Sequence, residues 1–141
     1  MIVADASSLI KLVLHEPESA YAFSRFEDFI DEGEIISSPE IAFVESLNAI
    51  WKHYVLLRNI DKNEFEYAIN MLSAVWDKID RVSSEPLSIY AIKIAVENKI
   101  SIYDSLYLAQ CKLNNGKLFT FDTKLIEKAK LLGIDIVKRL Q

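Results

Sequence analysis

The stretch Lys117–Val137, "KLFTFDTKLIEKAKLLGIDIV", decides the fold. "KLFTF" (117–121) reads as a short strand. "DTKLIEKAKLLG" reads as a helix closed by Gly133, and "IDIV" as a last strand. No hairpin signal lies between the two strands, so the helix is a crossover and the strands are parallel. The same alternation runs outward through the chain. "MIVA" (1–4) is a strand and "DASSLIKLVL" a helix; "SAYAFSRFEDFIDEG" is a helix stopped by Gly33, and "EIIS" a strand.

"SPEIAFVESLNAIWKHYVLLRN" opens with Ser38 as N-cap and Pro39 at the first helical position, then runs helical to about Arg58. "DKNEFEYAINMLSAVWDK" begins at Asp61, with Glu64 three residues on in a capping-box pattern. "IDRV" is a weak strand. "EPLSIYAIKIAVENK" is a helix, and Ser101–Asn115 another, ended by Gly116. The whole implies one domain over residues 1–141: an α/β fold of three layers, α/β/α, with a central parallel sheet of about five short strands and helices on both faces. Ligands of such folds bind beyond the carboxyl ends of the strands.

With 141 residues and about half of them hydrophobic, the chain can bury a sizeable core. The N-terminus has no basic signal-peptide region, and no apolar run approaches the ~20 residues of a bilayer span. A cytoplasmic protein with no membrane association is expected. The single cysteine, Cys111, reads as a small apolar helix residue, and with His15 and His53 it has no zinc-site spacing. The net charge of −5 argues against a protein that coats nucleic acid by broad charge neutralisation. A nucleic-acid enzyme whose site is reversed in charge by bound cations remains open.

Four acids stand out by position. Asp5 follows "IVA" and Asp122 follows "LFTF", both at the carboxyl edge of the sheet. Glu45 sits on an apolar helix, with Ile41, Asn48 and Ala49 one turn away in place of charged partners. Asp104 opens an otherwise apolar helix in "SIYDSLYLAQ" (101–110). Singly, each has a plain structural explanation as a helix cap or a solvated edge. If all four converge, each carboxylate pair at ~6 Å repels by about 3 kcal/mol at an effective dielectric of ~20. Such a site takes up protons or binds divalent cations. Oxygen-only ligation suits Mg²⁺ or Mn²⁺, which activate water and stabilise in-line displacement at phosphorus.

"VADASSLIKL", "EIAFVESLNAIW" with its E-x-x-N, "SIYDSLYLAQC" and "LFTFDTKL" resemble, in order, the four acidic motifs of PIN domains, most closely those of VapC-type toxins. The resemblance implies a Mg²⁺- or Mn²⁺-dependent endoribonuclease, the toxin of a type II toxin–antitoxin pair. Asp5, Glu45, Asp104 and Asp122 would be its catalytic and metal-binding quartet. Ser7 would assist the metal site, Asn48 would orient Glu45, and Thr120 falls where the family has a Thr or Ser before the last acid. The implied partners are an RNA substrate, a small antitoxin protein and a second copy in a homodimer. Phe23, Phe26, Phe29, Trp51 and Tyr54 are candidates for the antitoxin contact, with core packing as the competing explanation. Lys11, Lys52, Lys124 and Lys128 are candidates for RNA phosphates. Two alternatives stand beside this reading. One is a non-catalytic PIN-like binding module. The other is a haloacid-dehalogenase-type phosphatase, which needs a second Asp where this chain has Ser7.

Overall fold

The computed structural model describes residues 1–138. In chain order the elements are β1 (Ile2–Ala4), α1 (Ala6–Val13), α2 (Ser19–Asp31), β2 (Ile36–Pro39), α3 (Ile41–Trp51), a π-helical turn (Lys52–Leu56), α4 (Lys62–Trp76), β3 (Asp80–Val82), α5 (Ser84–Asn98), α6 (Ile102–Asn114), β4 (Lys117–Phe119) and α7 (Thr123–Leu131). Among the described residues the sheet has four strands, all parallel, in the order β3-β2-β1-β4. This is the expected α/β/α fold with one strand fewer than anticipated. "IDIV" contributes only a single parallel bridge, Leu118 to Ile136, because the chain touches β4 for too short a length to build a ladder.

Right-handed crossovers place the helices that lead leftward from β1 to β3 on one face and those that return from β3 to β4 on the other. The packing agrees. Helices α1, α2, α3 and α4 contact one another, while α6 lies directly on β1, β2 and β4 with α5 packed against it. Strands β1 and β4 are apolar where both faces are covered: Ile2, Val3 and Ala4 of β1 and Leu118 and Phe119 of β4 are all buried. At Gly116 an added Cβ would meet Val3 Cγ2 at 3.1 Å, so a larger residue at the entry to β4 requires the Val3 side chain to shift by a few tenths of an ångström.

Ser38 and Pro39 do not open a helix. They are buried in β2, and α3 starts at Ile41. Their polar groups are satisfied across the sheet: Ser38 Oγ donates to the Ala4 carbonyl (2.7 Å), and Ser37 Oγ donates to that of Asp80 (2.9 Å). Gln110 Nε2 donates in turn to Ser37 Oγ (2.7 Å), pinning α6 to the sheet. Helix α6 ends on Asn115, at φ 51°, and not on the glycine after it. The expected long helix past Trp51 loosens into the π-helical turn, and Arg58 lies beyond it at φ 53°.

Asp61 forms the full capping box with Glu64: its Oδ1 accepts from the Glu64 amide at 2.8 Å, and the Glu64 side chain returns to the Asp61 amide at 3.4 Å. Asp61→Ala is expected to lower stability by about 1 kcal/mol, read from urea unfolding. A loss indistinguishable from zero would show that tertiary packing alone holds the start of α4.

Candidate active site

The chain steps from β1 outward through β2 to β3, then crosses back to β4 on the other side of β1. The connections leaving β1 and β4 therefore diverge, and a crevice opens beyond their carboxyl ends. Asp5 and Asp122 leave from those two ends. Asp5 is the N-cap of α1, its Oδ1 accepting from the Ser8 amide at 2.9 Å. Asp122 is the N-cap of α7, its Oδ1 accepting from Lys124 N and Leu125 N. Each acid is thus a helix cap at the carboxyl end of a strand.

Two hydroxyls tie the strand ends together. Ser7 Oγ donates to Asp5 Oδ1 at 2.7 Å and accepts from the Phe121 amide at 2.8 Å. Thr120 Oγ1 donates to Asp5 Oδ2 and accepts from the Asp122 amide at 3.1 Å. The two hydroxyl oxygens are 3.2 Å apart. Asp5 is thereby fixed in one rotamer relative to the segment that carries Asp122.

Asp104 lies in the first turn of α6, where Ser101 Oγ accepts from its amide at 3.1 Å, one half of a capping box. Glu45 comes from α3, one turn past its start, and its Oε1 accepts from the Tyr107 hydroxyl at 2.8 Å. Tyr107 is buried one turn after Asp104 on α6, so one helix presents an acid and the hydroxyl that positions another.

Electrostatics link the four carboxylates in a chain. Burial raises the Asp5 pKa from 3.8 to about 6, against the hydrogen bonds from Thr120, Ser7 and Ser8, and the charge of Asp122 adds to the rise. Burial also raises Asp104, with Asp122 adding to it and a hydrogen bond from Ser101 opposing. Glu45 is raised by burial, opposed by the Tyr107 hydroxyl and reinforced by Asp104. The phenol of Tyr107 is pushed far up by burial, then by the charges of Glu45 and Asp5, so it stays a donor to Glu45. Cys111, buried below, is pushed up to about 12 and behaves as the inert apolar residue expected of it.

Among the described residues, no three acidic, histidine or cysteine side chains stand close enough to ligate one ion together. The donors are oxygens only. A small hard cation that keeps most of its waters and takes one or two carboxylates directly fits this set. An ion needing three or more direct protein ligands does not.

The remaining candidates divide. Ser7 and Thr120 lie at the heart of the site. Asn48 is exposed one turn beyond Glu45, and the group that orients Glu45 is Tyr107. A tyrosine at i+3 from an acid, facing inward on a buried helix, needs a partner for its hydroxyl; that was the signal available in "DSLY". Of the four lysines, Lys11 borders the acids, in a cleft of about 350 Å³ shared with Ser7, Glu45 and Phe121. Phe26 and Phe29 are core, and Tyr54 stacks on Phe65 at 4.4 Å. Phe23 and Trp51 are exposed, and Phe23 lines a groove with Tyr67 between α2 and α4.

The PIN-domain family model matches residues 2–131. The chain belongs to the PIN-domain family. It is 30% identical over 132 residues to Ribonuclease VapC3 of Pyrobaculum aerophilum, a match covering 90% of this chain and 93% of that one. The crystal structure of PAE2754 from Pyrobaculum aerophilum superposes with a TM-score of 0.73 at 25% identity, over 97% of this chain and 83% of that one. VapBC2 of Rickettsia felis, crystallised on a promoter DNA fragment, shares the fold with a TM-score of 0.71 at 14% identity, covering 99% of this chain and 100% of its own. The VapC-type resemblance of the four motifs is thus matched along nearly the whole chain. The phosphatase alternative falls: Ser7, where that class needs an acid, is a hydroxyl that braces Asp5 in a PIN domain. No helix among the described residues is long and apolar enough to cross a membrane.

Proposed function

We propose that this PIN-domain chain is a Mg²⁺- or Mn²⁺-dependent endoribonuclease and the toxin of a type II toxin–antitoxin pair. The observation that carries the reading is the row of carboxylates Asp5–Asp122–Asp104–Glu45, brought from four distant segments so that each lies within reach of the next one's charge. A protein gains nothing in stability from lining up acids around a buried one, which supports a role in holding a cation. The relative named Ribonuclease VapC3 supports RNA as substrate. Structures described as a toxin–antitoxin complex and as VapBC2 on promoter DNA support a small antitoxin partner.

Asp5, Glu45, Asp104 and Asp122 would hold the ion directly or through its waters. When bound, the ion would supply a polarised water and charge neutralisation at the phosphate. The chain does the positioning. Ser7 and Thr120 lock Asp5, and Tyr107 aims Glu45. The N-termini of α1, α6 and α7 carry Asp5, Asp104 and Asp122 and add positive potential toward an anionic substrate. Glu45 or Asp104, where it meets the ion only through a bound water, would be placed to take the proton of the attacking water. The water oxygen would bond to phosphorus as the bond to the leaving ribose oxygen breaks, and that oxygen would take up a proton from solvent.

A homodimer has a surface to use. The outer stripe of α5 exposes Ile89, Ile92 and Val96 at 69%, 50% and 72%, at the i, i+3, i+7 spacing of a helix that packs on both faces.

Purified protein is expected to cut labelled RNA with Mg²⁺ or Mn²⁺ and to stop on chelation, with activity returning when the cation is restored. Cleavage that persists in excess chelator would refute the metal-dependent mechanism. Specific RNA binding with no cleavage under any divalent cation would favour the binding-module alternative.

A further inference from the structure

Two side chains beside the carboxylate row are left open by the fold. Ser101 caps α6, so Tyr103 and Asp104 are the second and third residues of that helix. Tyr103 is 54% exposed. Among the described residues its ring has no aromatic or cationic neighbour and its hydroxyl no hydrogen-bond partner. Residues four apart on a helix share a face, so Tyr103 stands one turn before Tyr107, whose hydroxyl holds Glu45. The open ring therefore lies next to Asp104 and on the outer side of the Tyr107–Glu45 contact. Asp122 caps α7 in the same way, which makes Lys124 the second residue of that helix. Asp122 Oδ1 accepts from the Lys124 amide at 2.9 Å, while the Lys124 side chain is exposed and forms no ion pair among the described residues. Helical side chains lean toward the helix start, so this one leans back toward Asp122. A cation in a first turn opposes the helix macrodipole, so the stability of α7 gives no reason for a lysine there. The charge of Asp122 reaches Asp104, so the two helix starts, with Tyr103 and Lys124, flank one stretch of the row.

We infer that Tyr103 and Lys124 are substrate-positioning residues: an RNA base beside the scissile bond stacks on the Tyr103 ring, and Lys124 pairs with a phosphate of the strand passing Asp122. The inference rests on the ribonuclease reading above and goes beyond it by assigning roles outside the acidic quartet. An exposed ring offers its face to any base, so this contact fixes position without selecting sequence. The base must be out of its own stack to use it, as in a loop or an unpaired end. Lys124 supplies positive charge where the acids repel the RNA backbone, in a chain of net charge −5. With the strand held at one point beside Asp104 and at another beside Asp122, the phosphate between them is brought to the carboxylates in one orientation. A merely solvated helix face would leave both side chains without effect on RNA, and the two cases separate by experiment.

The test uses a short RNA carrying 2-aminopurine, whose fluorescence is quenched on stacking, bound at saturating protein to the full chain with Asp5→Asn as a non-cleaving background. Quenching is expected, kept when Tyr103→Phe is added and lost with Tyr103→Ala. Tyr103 lies outside the core, so both variants keep the fold, which circular dichroism checks. In the otherwise unaltered enzyme, Tyr103→Ala should raise KM about tenfold with kcat largely kept, and Tyr103→Phe should return it to the parent value. Lys124→Met should raise KM and flatten its dependence on salt. Lys130→Met, which removes the same charge from another face of α7, should do neither. If RNA is cut but quenching and KM in Tyr103→Ala match the parent, the stacking contact is overturned and the nuclease stands. If Lys130→Met raises KM as much as Lys124→Met, the phosphate contact is overturned, again with the nuclease standing. If the unaltered protein neither binds nor cuts RNA with any divalent cation, both readings fall.

Discussion

Asp5→Asn will cut the rate of RNA cleavage on the order of 10³-fold or more while making the metal-free protein more stable at neutral pH. The two effects have one cause. Asp5 is fully buried, and its pKa is raised from 3.8 to about 6. The folded protein therefore binds that proton more tightly than the unfolded chain does. Between about pH 4 and pH 6 the folded state carries the extra proton, so the stability of the metal-free protein falls as pH rises through this window and is level above it. The difference between 3.8 and about 6 corresponds to about 3 kcal/mol, the cost of keeping this carboxylate ionised in the fold.

Asparagine removes that cost and keeps the geometry. Its carbonyl oxygen can accept from the Ser8 amide and Ser7 hydroxyl, as Oδ1 does now. Its Nδ2 can donate to Thr120 Oγ1, whose proton then turns to Ser7 Oγ, 3.2 Å away. Urea unfolding in chelator should show the variant ahead by up to about 3 kcal/mol at pH 7.5, and level with the parent near pH 4. Added Mg²⁺ should stabilise the parent and not the variant. A variant less stable than the parent at pH 7.5 would show that Asp5 is there for its capping bonds, and the site would lose its electrostatic rationale.

The sequence made some of this legible for reasons that can be named. Asp5 and Asp122 are visible because a strand end is a local event: an apolar run stops and an acid follows, and parallel topology then puts both at one edge. Gly33 and Gly133 stop their helices as expected, at φ 72° and 71°, since only local backbone freedom is involved. What was misread depends on long-range partners. "SSP" has the local chemistry of a helix start, yet β2 takes it because Ala4 and Asp80, far away in the chain, satisfy its hydroxyls. The Glu45–Tyr107 contact spans 62 positions, so the nearer Asn48 was the more visible partner although it faces solvent. The π-helical turn has no local residue pattern that requires it; Glu16, which holds its His53, comes from the loop after α1.

Tyr107→Phe tests the other half of the site with the loss of one atom. The phenol fits a buried slot, and phenylalanine retains the ring and its packing against the sheet. What disappears, together with the hydrogen bond the phenol oxygen accepts from the Ala6 amide, is the 2.8 Å bond to Glu45 Oε1, by which a residue on α6 orients an acid on α3. That bond lowers the Glu45 pKa against burial and the charge of Asp104, so its loss lets Glu45 rise further. The variant should fold, with a cost of about 1–3 kcal/mol for leaving a half-buried carboxylate short of a donor. Cleavage should fall about 10- to 100-fold, the range for removing a group that holds a metal-site acid in place. The pH profile should separate this from general weakening. With Glu45 raised, the acid limb of the rate profile moves to higher pH, so the deficit is greatest under mildly acidic conditions and narrows as pH increases. A loss of activity uniform in pH, or none at all, would mean that Glu45 acts without Tyr107 and that the phenol serves packing alone.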